Sequence, residues 1–339
     1  MKPIRTALAS YGMSGALSHG PFLSAHPEYE VVTVCERFRE RSRSRFPKAT
    51  IVRSFDEIID DASVELVVVN TPDPLHGEMC RHALEAGKHV VVEKPFVKSS
   101  VEARELVSLA NRNERTIAEY YNRRYDGDFQ RLRSLVSERS LGTICELESR
   151  IEFWRPVEPD VWRESEFATA GALFNIGSHL LDQVLLLFGR PQTLLLTQHR
   201  TRPGSRIYDF FRLELSYEGS VVMLQSSYAA REPYPRFRVR GTDATWVKFG
   251  HDGQQAQLAG EEPDSEYSLL VRGNGADKMT ERQEVSPGNY ALFYDRLYAQ
   301  VREGASSAAN GLEAILNTEL LELAEQSFRT GRRITLNSS

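Results

Sequence analysis

Ile4-Arg5-Thr6-Ala7-Leu8-Ala9-Ser10-Tyr11-Gly12-Met13-Ser14-Gly15 decides how this chain is read: an apolar strand, a tight turn with two glycines, and the start of a helix. The turn is G-x-G-x-x-G with Ser10 in place of the first glycine. Glycines at such a turn let the backbone approach a pyrophosphate, whose charge sits on the free N–H groups of the helix start. Two glycines after a strand also occur as plain packing, so the neighbourhood has to decide. Glu36 lies about 20 residues further on, at the end of the second strand, where a carboxylate accepts hydrogen bonds from ribose hydroxyls. Arg37 follows directly, and a guanidinium there binds a 2′-phosphate if Glu36 turns away. NAD and NADP therefore both remain open, with Ser10, Gly12, Met13, Ser14, Gly15, Glu36 and Arg37 as the first cofactor-binding set.

Outward from this turn, short β-branched runs alternate with helical stretches. The runs are Ile4 to Ala9, Val31 to Cys35, Ala49 to Val52, Leu66 to Asn70, Val90 to Glu93 and Thr116 to Glu119. That alternation predicts a doubly wound α/β domain over residues 1–122. Past Asn122 the pattern becomes long alternating strands, Ile144 to Phe153, Tyr208 to Ser216 and Val221 to Tyr228, the last two joined by a Glu218-Gly219 turn. Residues 123–339 thus read as an α+β domain with an open, largely antiparallel sheet. Gly250 to Gly288 reads as loops and short strands at the edge of that sheet, and Ala291 to Val301 and Leu312 to Arg329 as closing helices. At 339 residues the chain exceeds the roughly 250 at which one core splits into two.

A net charge of −5 gives no broad basic field for nucleic acid, and the residues before Ile4 contain no apolar leader. A cytoplasmic protein without a membrane partner is expected. Cys35, Cys80 and Cys145 are too scattered for a disulfide framework or zinc knuckle and read as buried thiols; no histidine has ligand spacing, so no metal site is expected.

Three further stretches carry chemistry. Thr71-Pro72-Asp73-Pro74-Leu75-His76 ends the fourth strand, where ligands of open α/β sheets bind, although Pro-x-Pro ends a strand whatever its function. Glu93-Lys94-Pro95 closes the fifth strand. A lysine at the cleft end of a buried strand can shuttle a proton, and the following proline, which fixes the backbone and admits a cis bond, argues against an ordinary surface lysine. In Asn175-Ile176-Gly177-Ser178-His179-Leu180-Leu181-Asp182-Gln183, residues 175, 179 and 182 share one helix face, expected to point outward. His179 is a candidate general base oriented by Asp182 or Asn175, the bland alternative being a solvated helix face.

Together with Ala86-Gly87-Lys88-His89-Val90-Val91-Val92-Glu93-Lys94-Pro95 and Asn122-Arg123-Arg124-Tyr125-Asp126, these stretches resemble the Gfo/Idh/MocA oxidoreductases over nearly the whole chain. Trp162-Arg163-Glu164 and Gly288-Asn289-Tyr290 resemble the scyllo-inositol dehydrogenase-like branch. The resemblance implies a Rossmann domain followed by an α+β domain whose sheet makes the interface of a dimer or tetramer. It implies Lys94 and His179 as the catalytic pair, with Asn175 where the family usually has aspartate; an amide can orient a partner but cannot accept a proton. Thr71, Pro72, His76, Glu93, Lys94, Trp162 and Arg163 join the implied cofactor set. Asn122, Arg123, Arg124, Asp126, Asp182 and Tyr290 join Lys94, Asn175 and His179 near substrate hydroxyls.

The expected reaction is NAD(P)-dependent oxidation of a secondary alcohol of a cyclic polyol or sugar to a ketone, or its reverse, with substrate held between the domains. A pyranose or glucose dehydrogenase and a ketosugar reductase are the alternatives within enzymes. A non-catalytic NAD(P)-binding regulator is the alternative outside them, disfavoured because a regulator has no use for a proton-transfer pair.

Overall fold

Six short strands, β1 (Ile4–Leu8), β2 (Tyr29–Cys35), β3 (Thr50–Val52), β4 (Leu66–Val69), β5 (His89–Val92) and β6 (Ile117–Glu119), are rich in valine and isoleucine, and β4 is buried at every position. Burial on both faces is what a parallel sheet between helical layers demands. The strands pair in parallel in the order β3-β2-β1-β4-β5-β6. The order reverses between β1 and β4, so the loops after these strands diverge and leave a crevice at their carboxyl ends. Helices α1 (Gly20–Ala25), α2 (Asp56–Asp60), α3 (His76–Glu85) and α4 (Ser100–Arg112) follow strands of this sheet. At the start of α4 the Ser99 hydroxyl accepts the Glu102 amide at 3.2 Å, and Gly87, at φ 71°, turns the chain out of α3 into β5. The computed structural model describes residues 2–158, 164, 169–232, 234–252, 266–304 and 311–336.

The chain divides into two units, Met1–Asn122 with Tyr290–Glu319, and Arg123–Asn289 with Leu320–Ser339. Sequence pattern had placed everything after 122 in the second domain. By contacts the late segment groups with the first unit: the buried face of its helix supplies Phe293, Tyr294, Leu297 and Tyr298, and the Tyr29 hydroxyl donates to the Tyr294 carbonyl at 2.8 Å. An amphipathic helix shows which residues it buries but not which core receives them.

The second unit is built on a nine-stranded sheet in the order β14-β13-β12-β11-β7-β10-β9-β8-β15, comprising β7 (Ile144–Glu152), β8 (Thr193–His199), β9 (Phe210–Tyr217), β10 (Ser220–Ser227), β11 (Phe237–Gly241), β12 (Ala244–Phe249), β13 (Tyr267–Arg272), β14 (Met279–Gln283) and β15 (Ile334–Thr335). β7 and β10 pair in parallel and the other pairs are antiparallel. One face is apolar, with Leu147, Leu213, Leu215, Val222, Leu224 and Val239 fully buried. Helices α5 (Gly127–Ser137) and α6 (Ser178–Phe188) also lie in this unit, whereas α7 (Ala291–Glu303) lies in the first and α8 (Gly311–Thr330) spans the division. Cys35 and Cys80 are buried, but Cys145 is exposed: it follows buried Ile144 on β7, and strand alternation turns it to the other face.

His89 supplies a pH-sensitive rung in the first sheet. Its Nδ1 accepts the Thr116 amide at 3.0 Å, which only an unprotonated nitrogen can do, and burial, with Arg115 and Arg302 adding positive charge, holds its pKa down to about 4 from the ordinary 6.5. Between those values the unfolded chain binds a proton that the folded chain refuses, so stability is lost as pH falls from 6.5 to 4. The share due to His89 amounts to at most about 3 kcal/mol. Hydrogen exchange of the β5 and β6 amides measured across this range should show the loss, and His89→Gln should flatten it; an unchanged slope in that variant would refute the assignment.

Candidate active site

At the crevice between β1 and β4, the Asn70 side chain completes the end of the sheet. Its Oδ1 accepts the Ser10 amide and its Nδ2 donates to the Ser10 carbonyl, both at 2.9 Å, while the Ser10 hydroxyl donates to the Asn70 carbonyl at 2.8 Å. One amide side chain thus performs the pairing that a neighbouring strand would. Gly15 packs against this clasp: a Cβ there would stand 2.6 Å from the Ser10 carbonyl oxygen and 2.9 Å from Asn70 Nδ2. A Cβ on Gly12 would meet nothing within 4 Å, so that side of the turn is open. The helix begins with a wide π-type turn over Ser14–His19 that exposes Met13 and presents Ser14 and His19 inward to Glu93.

A cleft of about 510 Å³ extends from the turn, lined among others by Gly12, Glu36, Arg37, Arg39, Arg53 and Pro72. The Glu36 carboxylate is engaged within its own loop. Oε1 accepts the Ser42 amide at 2.9 Å and the Ser42 hydroxyl at 2.5 Å, and Oε2 accepts the Arg41 amide at 3.0 Å. Glu36 therefore caps the Arg41–Ser44 turn, leaving the cleft wall beside it to arginines. Thr71 and Pro72 line the same cleft. His76 is fully buried beneath it, with Nδ1 2.9 Å from the Pro95 carbonyl and Nε2 3.0 Å from the Thr71 carbonyl, so its ring ties the two loops together.

Lys94 follows β5 by two residues and precedes a cis bond to Pro95. Beside it the Glu93 carboxylate receives the Ser14 hydroxyl at 2.5 Å and the Lys94 amide at 3.3 Å, and its Oε1 lies 3.2 Å from His19 Nε2. Burial alone would raise the Glu93 pKa. The hydrogen bond from His19, the charge of Lys94 and the Ser14 hydroxyl outweigh it and hold the carboxyl down at about 2. Tyr290, also in the first unit, is buried with its ring 6.1 Å from that of Phe22, centre to centre.

Of the stripe expected to face solvent, His179 and Asp182 are buried and Asn175 is half-buried. His179, Asp182 and Gln183 are all nearly inaccessible, because a π-type turn over Leu173–Gly177 precedes α6 and because Arg124 and Arg236 supply polar partners from within. Arg124 grips Asp182 with two bonds of 2.5 and 2.7 Å. Gln183 donates to the Arg123 carbonyl and accepts from Arg236, each at 2.7 Å, and Arg123 in turn reaches Asp126 at 3.2 Å. The Asn122–Tyr125 turn is thereby fastened to the helix that carries His179. Asn175 donates to the Tyr228 hydroxyl at 2.8 Å. Trp162 and Arg163 lie outside the described residues; the neighbouring Glu164 accepts both its bonds from Arg202, at 3.0 and 3.1 Å. Asn70, His19, Gln183 and Tyr228 were not singled out by sequence. An Asn at a strand end and a Gln following the HxxD pattern were the available signals for two of them.

A family model described as an oxidoreductase family with an NAD-binding Rossmann fold matches residues 4–121, and the model for the C-terminal alpha/beta domain of the same family matches residues 133–336. The chain belongs to the Gfo/Idh/MocA oxidoreductase family. It is 33% identical to the scyllo-inositol 2-dehydrogenase (NADP(+)) IolW of Bacillus subtilis, over 98% of this chain and 96% of that protein. It is 26% identical to the D-glucoside 3-dehydrogenase of Escherichia coli over 58% of this chain and 57% of the other. Among solved structures, the putative oxidoreductase yvaA of Bacillus subtilis superposes with a TM-score of 0.93 at 32% identity, covering 99% of each chain. As a Gfo/Idh/MocA member with dehydrogenase relatives, the protein is an oxidoreductase using NAD or NADP. The first unit fits that cofactor: Gly15 admits no side chain, Gly12 leaves the turn open, and the cleft continues from it. Among the described residues no group of His, Cys, Asp or Glu is arranged to hold a metal ion, and no helix is long and apolar enough to cross a membrane.

The Arg124–Asp182 pair is buried on both sides, and burial pushes the Asp182 carboxyl up against the opposing pull of Arg124. Removing one member leaves the other charge desolvated. Arg124→Met should therefore cost about 3–5 kcal/mol in urea unfolding, whereas Arg124→Met combined with Asp182→Leu should recover most of that loss. A double variant no more stable than the single one would mean that the pair is not the source of the effect.

Proposed function

We propose that this protein is an NADP-preferring dehydrogenase of a secondary alcohol on a cyclic polyol of the inositol type, or the reductase of the corresponding ketone. The observation that carries the cofactor preference is the commitment of Glu36 to Ser42 and Arg41. An acidic side chain at this strand end discriminates for NAD by bonding the ribose hydroxyls and repelling a 2′-phosphate. With the Glu36 carboxylate taken up by Arg41 and Ser42, Arg37 and Arg39 give the cleft positive charge for a 2′-phosphate. The substrate class is supported by similarity to the inositol dehydrogenase across almost the whole chain. A pyranose substrate is the second reading, favoured by the shorter match to the glucoside 3-dehydrogenase.

The bound nicotinamide supplies the hydride acceptor, or the donor in the reverse direction. The chain's own residues manage the proton. Lys94 just after β5 and His179 on α6 act as the proton-transfer pair, Asn175 and Tyr228 orient the substrate side, and Trp162, Arg163, Asn122, Arg123, Asp126 and Tyr290 complete the binding set. Assembly into a dimer or tetramer uses the outer face of the nine-stranded sheet, where Val221 and Met223 stand among Glu148, Glu214 and Arg238. A cytoplasmic setting fits the three free cysteines and the need for an intracellular nicotinamide pool.

Fluorescence titration should give a Kd for NADPH at least about tenfold below that for NADH, and Arg37→Ala should remove most of the difference by weakening NADPH alone. Equal affinities, or a preference for NADH, would overturn the cofactor assignment. On a substrate found by screening polyols and sugars, Lys94→Ala and His179→Ala should each lower kcat by about 10² or more with cofactor affinity nearly unchanged. Near-full activity in both variants would refute the pair.

A further inference from the structure

A polar chain runs from the dinucleotide turn to the Lys94 backbone amide and lies wholly within the first unit. The Tyr294 hydroxyl stands 2.6 Å from His19 Nδ1, His19 Nε2 stands 3.2 Å from Glu93 Oε1, and Ser14 donates to the same oxygen at 2.5 Å. His19 and Tyr294 are completely inaccessible. The carboxylate can only accept, so Nε2 carries the proton, and in the neutral ring Nδ1 accepts from Tyr294. The ring is further held by Tyr120, tilted at 40° with its centroid 4.2 Å away, whose hydroxyl donates to the Ser18 carbonyl at 2.7 Å. Tyr29 fixes the backbone of Tyr294. Two donors on Oε1 and the Lys94 amide on Oε2 leave the Glu93 carboxylate no freedom to rotate. A carboxylate only part-exposed and this well supplied with donors is kept negative where it stands.

We propose that His19 is a positioning residue for Lys94: by donating Nε2–H to Glu93 it fixes an anionic carboxylate beside the lysine and thereby sets the pH at which the lysine gives up its proton. The titratable groups facing Glu93 are His19, Lys94 and, through His19, Tyr294, with Tyr120 and Tyr29 packed behind them. The depressed Glu93 pKa, to which both His19 and Lys94 contribute, agrees with this arrangement. Tyr294 is pushed well up by burial, as expected of a hydroxyl that serves only as a neutral donor. The functional meaning rests on the reading of Lys94 as the proton-transfer lysine. A lysine kept protonated by a nearby carboxylate is the form that donates a proton to a carbonyl oxygen as its carbon receives hydride, so the network suits the reductive direction.

The test is a titration of Lys94 itself, without turnover. The lysines are reductively methylated with ¹³C-formaldehyde, the Lys94 signal is assigned by its absence in Lys94→Arg, and its midpoint is followed by NMR. His19→Phe keeps a ring against Tyr120 but has no donor, and Glu93→Gln keeps the shape but not the charge. Both should lower the Lys94 midpoint by about one unit or more. His19→Gln, which retains an N–H, should stay close to the unchanged protein, and Tyr294→Phe should move the midpoint the same way by less. Tyr294→Phe also carries the test for His19 should His19→Phe not fold. Unchanged midpoints in His19→Phe and Glu93→Gln, or equal shifts in His19→Phe and His19→Gln, would overturn the proposal. Because no catalysis is measured, a fully active Lys94→Ala would dismiss the lysine's catalytic role and leave this result standing.

Discussion

The clasp between Asn70 and Ser10 is the constraint on which the first unit depends. At the reversal point β1 and β4 must part, and their last peptide groups lose the partners a continuing sheet would give them. Unpaired and buried, those groups would cost about 1–3 kcal/mol each. The Asn70 amide satisfies both the N–H and the carbonyl of Ser10, and the Ser10 hydroxyl returns a third bond. The turn can then leave the sheet at a fixed angle, and Gly15 follows from that, since the clasp occupies the volume a Cβ would need. Ser10 is therefore a participant in the turn, and its departure from the usual glycine has a structural use.

The second unit is organised by a different device, a fully buried arginine. Arg236, 1% exposed, bonds Ser149 on β7 and Gln183 on α6 at 2.7 Å each, approaches Asp128 on α5 at 3.6 Å, and lies over the Phe237 ring. A planar cation with five donors can join a sheet and two helices at once, which no aliphatic side chain can do. Through Gln183 it reaches the Arg123 carbonyl, so the Asn-Arg-Arg-Tyr-Asp segment, the sheet and the His179 helix share one polar core. Such a core tolerates little loss, because each member satisfies another.

The architecture was legible because it is written in local pattern. Period-two and β-branched runs located the strands, and Gly87, Ser99 and Gly219 marked turns and a cap through their own backbone chemistry. Side-chain direction was not legible to the same degree. Nothing in Cys35-Glu36-Arg37 says that Glu36 will cap a turn formed five residues later, since that depends on the path of Arg41–Ser44. The face of α6 was misjudged for a related reason: a polar stripe reads as solvated unless its partners are known, and Arg124 and Arg236 lie 58 and 53 residues from theirs. His19 carries no local signal either, since Glu93 and Tyr294 come to it from 74 and 275 residues away.

That last separation bears on how the protein is made. Tyr294 and the helix carrying it belong to the first unit, although 167 residues of the second, Arg123–Asn289, come between. During synthesis the six-stranded sheet can form early, but His19 has no hydroxyl partner and Tyr29 no carbonyl to bind until α7 has left the ribosome. The nascent first unit must therefore wait, with part of its surface uncovered, while the second is translated. The order of events ties the completion of the lysine's surroundings to the arrival of nearly the whole chain, so a product truncated after the first sheet would carry the glycine turn but not the finished Glu93 setting.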